Sequence, residues 1–226
     1  RQSYHDPTVS RETLQEWFSS ARLSRYRIEP VDAWYVWNTR VSKAFLEDIS
    51  HVEVLLRNFI DVRLNADAGI RCWWDSPKYQ IGSFRNNVDK AKKRLQRAKL
   101  KATPDQIVAS LSLDNWRFLL TQRLEATVWK ALTALRNGGM PYYPGRSRAD
   151  FETNVELIRC VRNRASHQEP LINADLDQQA EVRRLASYVT AIDTVARNIN
   201  PDAADWIAAH SRVLDVIAQR PTSQHQ

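Results

Sequence analysis

Residues 33–61 read AWYVWNTRVSKAFLEDISHVEVLLRNFID, and this stretch decides the class of the fold. Large apolar side chains recur three and four positions apart, while charged side chains fill most of the positions between them. This periodicity is typical of an amphipathic helix that packs one stripe against a core. We predict one long central helix from Val31 to Asn65. Its apolar stripe consists of Trp34, Val41, Phe45, Val52, Leu56 and Phe59.

The rest of the chain also favours helices over strands. The 226 residues include only five glycines, and the apolar residues outside the long helix keep helical spacing. We predict an all-α protein that folds as a single domain over residues 1–226, with a disordered tail over 220–226. Thr103-Pro104-Asp105-Gln106 has the pattern of a capping box and predicts that a helix begins there. The other predicted helices are 13–21, 84–101, 114–137, 149–168, 176–198 and 201–218, and residues 69–82 are predicted to form a packed loop.

The positive charge of the chain is concentrated in one predicted helix. The formal net charge is +7, and residues 84–101 alone hold eight Lys or Arg and one Asp, which equals the whole excess. A solvated helix face has this composition too. However, such a concentration also favours a polyanion, because neutralised phosphates release counterions and so increase affinity. We therefore expect phosphate contacts from Lys92, Lys93, Arg94 and Arg97.

Composition argues against several classes of protein. The two cysteines, Cys72 and Cys160, are too few for a disulfide framework or a cysteine-rich metal site. No clustered metal-ligand spacing, glycine-rich phosphate loop or serine nucleophile elbow is present. No stretch approaches the roughly 20 apolar residues of a membrane span. We expect a soluble cytoplasmic protein that needs no metal or other cofactor.

Residues 162–170, RNRASHQEP, place a cluster of polar side chains where a helix ends. On a helical wheel Leu157, Ile158, Val161 and Ala165 share the core face, because 3.6 residues make one turn. Pro170 disfavours helical geometry at the preceding residue. The opposite face carries Arg159, Arg162, Asn163, Ser166 and His167. An arginine-rich helix end is also ordinary, since the helix dipole and the free carbonyl groups favour cations there.

The longer pattern resembles a known signature. Arg162-Asn163-Arg164, then His167, then Glu169-Pro170 is similar to the motif of Abi-like abortive-infection proteins, a branch of the HEPN ribonuclease superfamily. Residues 33–61 and IVASLSLDNWRFLLTQRLEATVWKAL at 107–132 resemble the same family in the same order. At Gln168 the chain departs from the pattern, because relatives often carry a second histidine there.

The resemblance implies a HEPN-like helical bundle with additional helices, working as a homodimer whose two motif helices meet in a shared cleft. It implies a metal-independent endoribonuclease that cuts RNA through an Arg-x4-His motif and leaves a 2′,3′-cyclic phosphate and a 5′-hydroxyl. Arg162 would hold phosphate oxygens, His167 would transfer protons, and Asn163 would orient either group. Arg159, Ser166 and the four cations of the basic helix would bind RNA. A protein of this kind is typically a toxin or phage-defence effector with a protein or RNA antitoxin.

A second set of candidates lies in the long helix. Arg57-Asn58 repeats the Arg162-Asn163 pair, and Glu53 lies one turn before Arg57. An intrahelical ion pair explains this spacing. Alternatively, these side chains reach the cleft, where Glu53, Arg57 and Asn58 would hold in place the residues that contact RNA.

Two other functions fit the same residues. The polar face could grip RNA without cutting it, as a non-catalytic binding module. The basic helix could instead dock an acidic partner protein in a toxin–antitoxin interaction module.

Overall fold

The computed structural model describes residues 9–26, 30–172 and 178–221. Every regular element within these ranges is helical, which confirms the all-α prediction. None of the helices in this part of the chain combines the length and apolar character needed to cross a membrane. The α-helices are α1 (Arg11–Phe18), α2 (Ser20–Leu23), α3 (Val31–Ala68), α4 (Gly82–Arg97), α5 (Pro104–Ser110), α6 (Leu113–Phe118), α7 (Lys130–Thr133), α8 (Arg148–Ser166), α9 (Gln178–Ile199), α10 (Pro201–His210) and α11 (Val213–Ala218).

The long helix predicted from the sequence is present as α3, which contains 38 residues. All six side chains of the predicted apolar stripe are buried. Burial of such a stripe stabilises a helix more than intrinsic propensity does, because propensity differences are only a few tenths of a kcal/mol per residue. The HEPN-like arrangement of the helices stays a prediction.

The capping box at the start of α5 is confirmed. The Thr103 hydroxyl accepts a hydrogen bond from the Gln106 N–H at 3.3 Å, and Gln106 Oε1 accepts one from the Thr103 N–H at 3.4 Å. Pro104 occupies the first helical position, where its missing N–H leaves no carbonyl unpaired.

The prediction of one helix over 114–137 is wrong. Helix α6 ends at Phe118, and single turns at Gln122–Leu124, Glu125–Trp129 and Leu135–Asn137 flank α7. The Leu120 carbonyl accepts a hydrogen bond from Arg148 Nη1 at 2.9 Å, so a distant side chain satisfies a backbone group at the break. The apolar spacing suggested one helix because Val128, Trp129 and Leu132 all need burial. The single turns and α7 bury them without forming one continuous helix.

The predicted helix over 201–218 is also divided. Helix α10 ends at His210 and α11 begins at Val213. Between them the Ser211 hydroxyl accepts a hydrogen bond from the Val213 N–H at 3.2 Å, which replaces a helical bond at the start of α11. The predicted helix over 13–21 is likewise broken at Ser19, whose backbone φ of 70° is left-handed.

The chain forms two compact units, and the single-domain organisation stays a prediction. Of the described residues, the first unit contains 9–26, 30–47, 161–172, 178–189 and 211–221. Its core pairs the first part of α3 with α11 and α9. Trp37 Nε1 donates to the Val216 carbonyl at 2.8 Å, and the rings of Phe45 and Tyr188 lie 5.9 Å apart.

Arg220, which the sequence placed at the start of a disordered tail, belongs to this core. Its guanidinium pairs with Glu181, which is completely buried, and lies 4.5 Å from the centre of the Trp34 ring. Residues 222–226 of the predicted tail lie outside the described residues.

The second unit consists of residues 48–160 and 190–210. Its core contains a chain of aromatic rings in which Phe84 lies 4.7 Å from Trp73 and 5.6 Å from Trp116. The loop predicted over 69–82 is therefore packed, because it contributes the buried Trp73 and Trp74. Trp116 and Trp129 are buried in this unit, as Trp34 and Trp37 are in the first unit.

Candidate active site

The motif lies where α8 ends, and a specific hydrogen-bond pattern ends it. Gln168 adopts a left-handed backbone with φ of 56°. Its N–H donates to the Ala165 carbonyl at 3.1 Å, and the Glu169 N–H donates to the Arg164 carbonyl at 2.8 Å. These two bonds form a Schellman motif, which satisfies carbonyl groups that a helix terminus otherwise leaves open. Pro170 follows at a position that cannot continue the helix.

This turn makes His167 the residue that caps α8. Its backbone N–H still bonds to the Asn163 carbonyl at 3.0 Å, while its side chain is exposed. No hydrogen bond or ion pair joins the imidazole to the residues that the structure describes. The ring is therefore held by the backbone alone and is accessible to a ligand.

Arg162 and Asn163 lie in the turn before His167. Both are partly exposed, and Arg162 Nη1 donates to Asn163 Oδ1 at 3.2 Å. This bond orients the guanidinium and leaves its other N–H groups to be satisfied elsewhere. The structure thus places the three predicted catalytic residues within six positions of one helix end. Arg164 donates to the Pro170 carbonyl and so helps to hold the turn.

Two arginines that the sequence analysis missed share a groove with His167. The groove has a volume of about 320 Å³, and its lining includes Arg22, Arg25, His167, Gln168 and Glu169. Arg22 Nη1 donates to the Gln168 carbonyl at 3.3 Å and to Gln168 Oε1 at 3.2 Å. Its partners are neutral oxygens, so the positive charge of Arg22 is not neutralised by them. Glu169 supplies the carboxylate of this lining.

Arg22 lies in α2, and Arg25 follows two residues after its end. The Ser19 hydroxyl accepts a hydrogen bond from the Arg22 N–H at 3.4 Å and caps the helix. No local signal links this short helix with the α8 terminus, since 146 positions separate Arg22 from Gln168. In the sequence, this feature is visible as the helix-capping Ser19 followed by two arginines three residues apart, Arg22 and Arg25.

Arg159, a predicted RNA-binding residue, is engaged by carboxylates. Its guanidinium makes two hydrogen bonds to Glu156, at 2.9 and 2.6 Å, and one to Asp114 at 3.3 Å. These bonds raise the pKa of Arg159 and lower the pKa of Glu156. The pair continues into a chain of ion pairs in the second unit, which we call the ion-pair chain. Its members are Asp114, Arg159, Glu156, Arg117, Glu152, Arg148 and Glu125.

The basic helix is α4, and its four predicted phosphate contacts lie in the second unit. Phe84, Val88, Ala91 and Leu95 form its buried face. Lys93, Arg94 and Arg97 are exposed, although Arg94 donates to the Ser110 carbonyl. Lys92 is partly buried and lies 3.9 Å from Asp89. Helix α4 therefore presents cations to solvent in that unit, while His167 belongs to the first unit.

The candidates in α3 also lie in the second unit. Arg57 Nη1 donates to the Ala109 carbonyl at 3.4 Å, so it contacts the end of α5. Asn58 is exposed and, with His51 and Trp206, lines a cavity of about 410 Å³. The His51 ring lies edge-on to the Trp206 ring at 5.1 Å. The His210 ring lies 4.3 Å from the same Trp206 ring. The predicted supporting role of Glu53, Arg57 and Asn58 stays a prediction.

Two further features concern the chemistry of the site. Ser166 is exposed at the end of α8 and lines a separate cavity beside the motif turn. Among the described residues no three His, Cys, Asp or Glu side chains are grouped so that they could hold a metal ion.

The chain matches no protein-family model, no curated protein and no solved structure.

Proposed function

We propose that the protein is an endoribonuclease of the HEPN type that cuts RNA at the end of α8. The observation that carries this proposal is the exposed imidazole of His167 in a groove with Arg22 and Arg25. Arg162 and Asn163 precede it by one turn of the same helix. A proton-transferring group beside several cations suits a phosphodiester, whose charge increases as it is attacked.

The reaction that fits these groups uses the RNA's own 2′-hydroxyl. One group removes the 2′ proton, the oxygen attacks the adjacent phosphorus, and a second group protonates the departing 5′-oxygen. The products are a 2′,3′-cyclic phosphate and a 5′-hydroxyl. Imidazole is the side chain best able to give or take a proton near neutral pH. Arg162 and Arg22 would stabilise the negative charge on the phosphorane oxygens.

A homodimer supplies the second proton-transferring group in this proposal. One imidazole cannot remove and deliver a proton at the same moment, so a second copy of His167 from a partner chain would take the other role. This pairing would also double the number of cations around the phosphate. The resemblance to Abi-like proteins supports a growth-arresting toxin or phage-defence effector acting in the cytoplasm, restrained by a protein or RNA antitoxin. Ser166 and the cations of α4 would add RNA contacts.

Cleavage of end-labelled bulk cellular RNA in excess chelator tests the proposal. His167→Ala is expected to lower the cleavage rate by roughly 10²- to 10⁴-fold, the usual contribution of an acid–base group. His210→Ala is the matched control, because His210 is also an exposed histidine at the end of a helix and should leave cleavage unchanged. If the wild type binds RNA and never cuts it, the protein is a binding module and the nuclease proposal is wrong.

A further inference from the structure

A second cavity adjoins the motif turn, and Gln168 lines both this cavity and the groove that holds His167. It has a volume of about 430 Å³ and lies between residues 35–46 of α3, Tyr26 and the end of α8. We call it the tyrosine pocket after Tyr26 and Tyr35. Its volume falls within the range of about 300–1,000 Å³ that is common for small-molecule sites.

The tyrosine pocket carries hydrogen-bonding groups of both kinds. Ser42 is buried, and its hydroxyl oxygen has no hydrogen-bond partner among the described residues. Thr39 Oγ1 donates to the Tyr35 carbonyl at 3.1 Å and keeps its lone pairs for a donor. Asn38 Oδ1 accepts the Leu171 N–H at 2.7 Å, which fixes the orientation of the Asn38 amide beside Tyr26. These groups are held by helix geometry or burial, so they are set in place before a ligand arrives.

Aromatic and charged groups complete the lining. The rings of Tyr26 and Tyr35 lie 5.6 Å apart at 63° to each other, and Phe18 stacks on Tyr35 at 5.1 Å. Lys43 is exposed and lines the pocket, whereas no Asp or Glu among the described residues does. An anionic ligand with a planar ring and polar edges fits this combination better than an apolar side chain. An apolar occupant would leave the Ser42 hydroxyl without a partner, which is costly in a buried site.

We propose that the tyrosine pocket binds the base of the nucleotide next to the phosphate that is cut. This inference rests on the proposed function and names the part of the RNA that the site selects. Ser166 and Gln168 line the pocket, and they are the residues directly before and after His167. Gln168 also lines the groove that holds His167 and Arg22. A base in the pocket would therefore contact the residues that directly precede and follow His167 in the same turn.

The base would be recognised by hydrogen bonds to its edge and by contact with tyrosine. The Ser42 and Thr39 hydroxyls and the Asn38 amide would meet the base edge, since single-stranded bases are read on their exposed edges. Aromatic contact supports any base and adds little selectivity. Lys43 would attract the phosphate of the same nucleotide. Selectivity among bases is therefore expected to depend on the hydroxyl groups and overall affinity on Lys43.

Direct binding of the four nucleoside 5′-monophosphates to the full chain, measured by titration calorimetry, tests the pocket without relying on cleavage. We expect the wild type to prefer one base. Ser42→Ala and Thr39→Val should each weaken the preferred nucleotide about tenfold, the effect of losing one good hydrogen bond. Lys43→Gln should weaken all four nucleotides to a similar extent.

Matched variants separate these effects from changes in folding. Thr153→Val is the control for Thr39→Val, because Thr153 Oγ1 makes the same bond to the carbonyl four residues earlier, at 2.8 Å. Lys130→Gln is the control for Lys43→Gln, since Lys130 is an exposed lysine of α7. Ser42→Ala should leave the melting temperature unchanged or raise it, because it removes a buried hydroxyl that lacks a partner. Both control variants should bind as the wild type does.

The outcomes distinguish this inference from the nuclease proposal. If the wild type binds none of the four nucleotides at millimolar concentration, or if Ser42→Ala and Thr39→Val bind like the wild type, the pocket is not a base site. If base-selective binding is present but RNA is never cut, the pocket stands and the nuclease proposal is wrong. If RNA is cut but these substitutions do not change nucleotide binding, the nuclease proposal stands and the proposal of a base site in the pocket is wrong.

Discussion

The ion-pair chain and the groove at the end of α8 use the same kind of residue in opposite ways. In the ion-pair chain Arg117, Arg148 and Arg159 each contact carboxylates, which neutralise their charge. In the groove Arg22 contacts only the carbonyl and amide oxygens of Gln168, among the described residues. Arginine is always charged at neutral pH, so its partners decide whether that charge remains available.

The comparison explains why an arginine-rich motif is hard to interpret from sequence. Arg159 and Arg162 are three positions apart in α8, and both were predicted to contact RNA. Arg159 makes paired hydrogen bonds with Glu156, whereas Arg162 lies in the turn of α8 directly before His167. We expect the first to stabilise the fold and the second to act on the substrate.

Substitution of these two arginines is expected to give the largest difference. Arg162→Gln should reduce RNA cleavage about 100-fold, because loss of one donor to a transition-state oxyanion typically has this effect. Arg159→Gln should keep cleavage within about threefold and lower the free energy of unfolding by about 1–2 kcal/mol, as expected for a partly buried charged pair. Cleavage rates and urea unfolding of both variants check this. Equal losses of activity would contradict the distinction.

Removal of Arg148 tests the structural role of the ion-pair chain. Its side chain is 9% exposed and bonds to Glu125, Glu152 and the Leu120 carbonyl. Arg148→Met is expected to lower the free energy of unfolding by about 2–3 kcal/mol, since it leaves a carboxylate and a carbonyl poorly satisfied.

The control for Arg148 is Arg146→Met, because Arg146 is exposed and substitutions at such positions usually change stability by less than about 0.5 kcal/mol. Denaturant titration of both variants gives the comparison. A similar stability for the two variants would show that the ion-pair chain contributes little.

The groove arginines are expected to change RNA affinity rather than stability. Arg22→Gln combined with Arg25→Gln should weaken RNA binding about tenfold at low salt. It should also make the logarithmic salt slope shallower by about 1.4, because each contact with single-stranded phosphate contributes roughly 0.7. Filter binding over a salt series measures both quantities.

A charge-matched control uses Arg123→Gln with Lys130→Gln, since both residues are exposed cations of the second unit. This control should bind RNA more tightly than the groove variant. Identical salt slopes in the two double variants would mean that only net charge matters.

The smallest expected effect concerns the turn itself. Gln168 adopts a left-handed backbone that glycine accepts at lower cost. Gln168→Gly is therefore expected to raise the free energy of unfolding by about 0.5–1 kcal/mol. Gln219→Gly is the control, because Gln219 caps α11 with φ of −85° and glycine gains nothing there. A thermal melt of each variant decides the point, and destabilisation by Gln168→Gly would show that the Arg22 contact holds the turn.

Local patterns in the sequence predicted the elements whose causes are local. The apolar stripe of α3 and the capping box of Thr103 and Gln106 involve residues within a few positions of each other, and both are found in the structure. The helix breaks at Ser19, after Phe118 and after His210 were missed. At the second of these, Arg148 bonds to the Leu120 carbonyl from 28 positions away, which no periodicity can indicate.

The same limit applies to the candidate site. The motif residues Arg162, Asn163 and His167 could be selected because they belong to one helix end. The cations Arg22 and Arg25 could not, because their proximity to His167 depends on the tertiary fold. The sequence also predicted a disordered tail from Arg220 onwards, because a proline follows this residue. In the structure, however, Arg220 pairs with the buried Glu181, a contact that depends on the tertiary fold.

The chemical identity of the RNA ends reports directly on whether the protein cuts RNA at the end of α8. The measurement is end-group analysis of RNA treated with the wild type and with His167→Ala in excess chelator. We expect 2′,3′-cyclic phosphate and 5′-hydroxyl ends from the wild type, and their loss in the variant. Products with 3′-hydroxyl and 5′-phosphate ends, or the same cyclic ends from His167→Ala, would contradict a cleavage site at the end of α8.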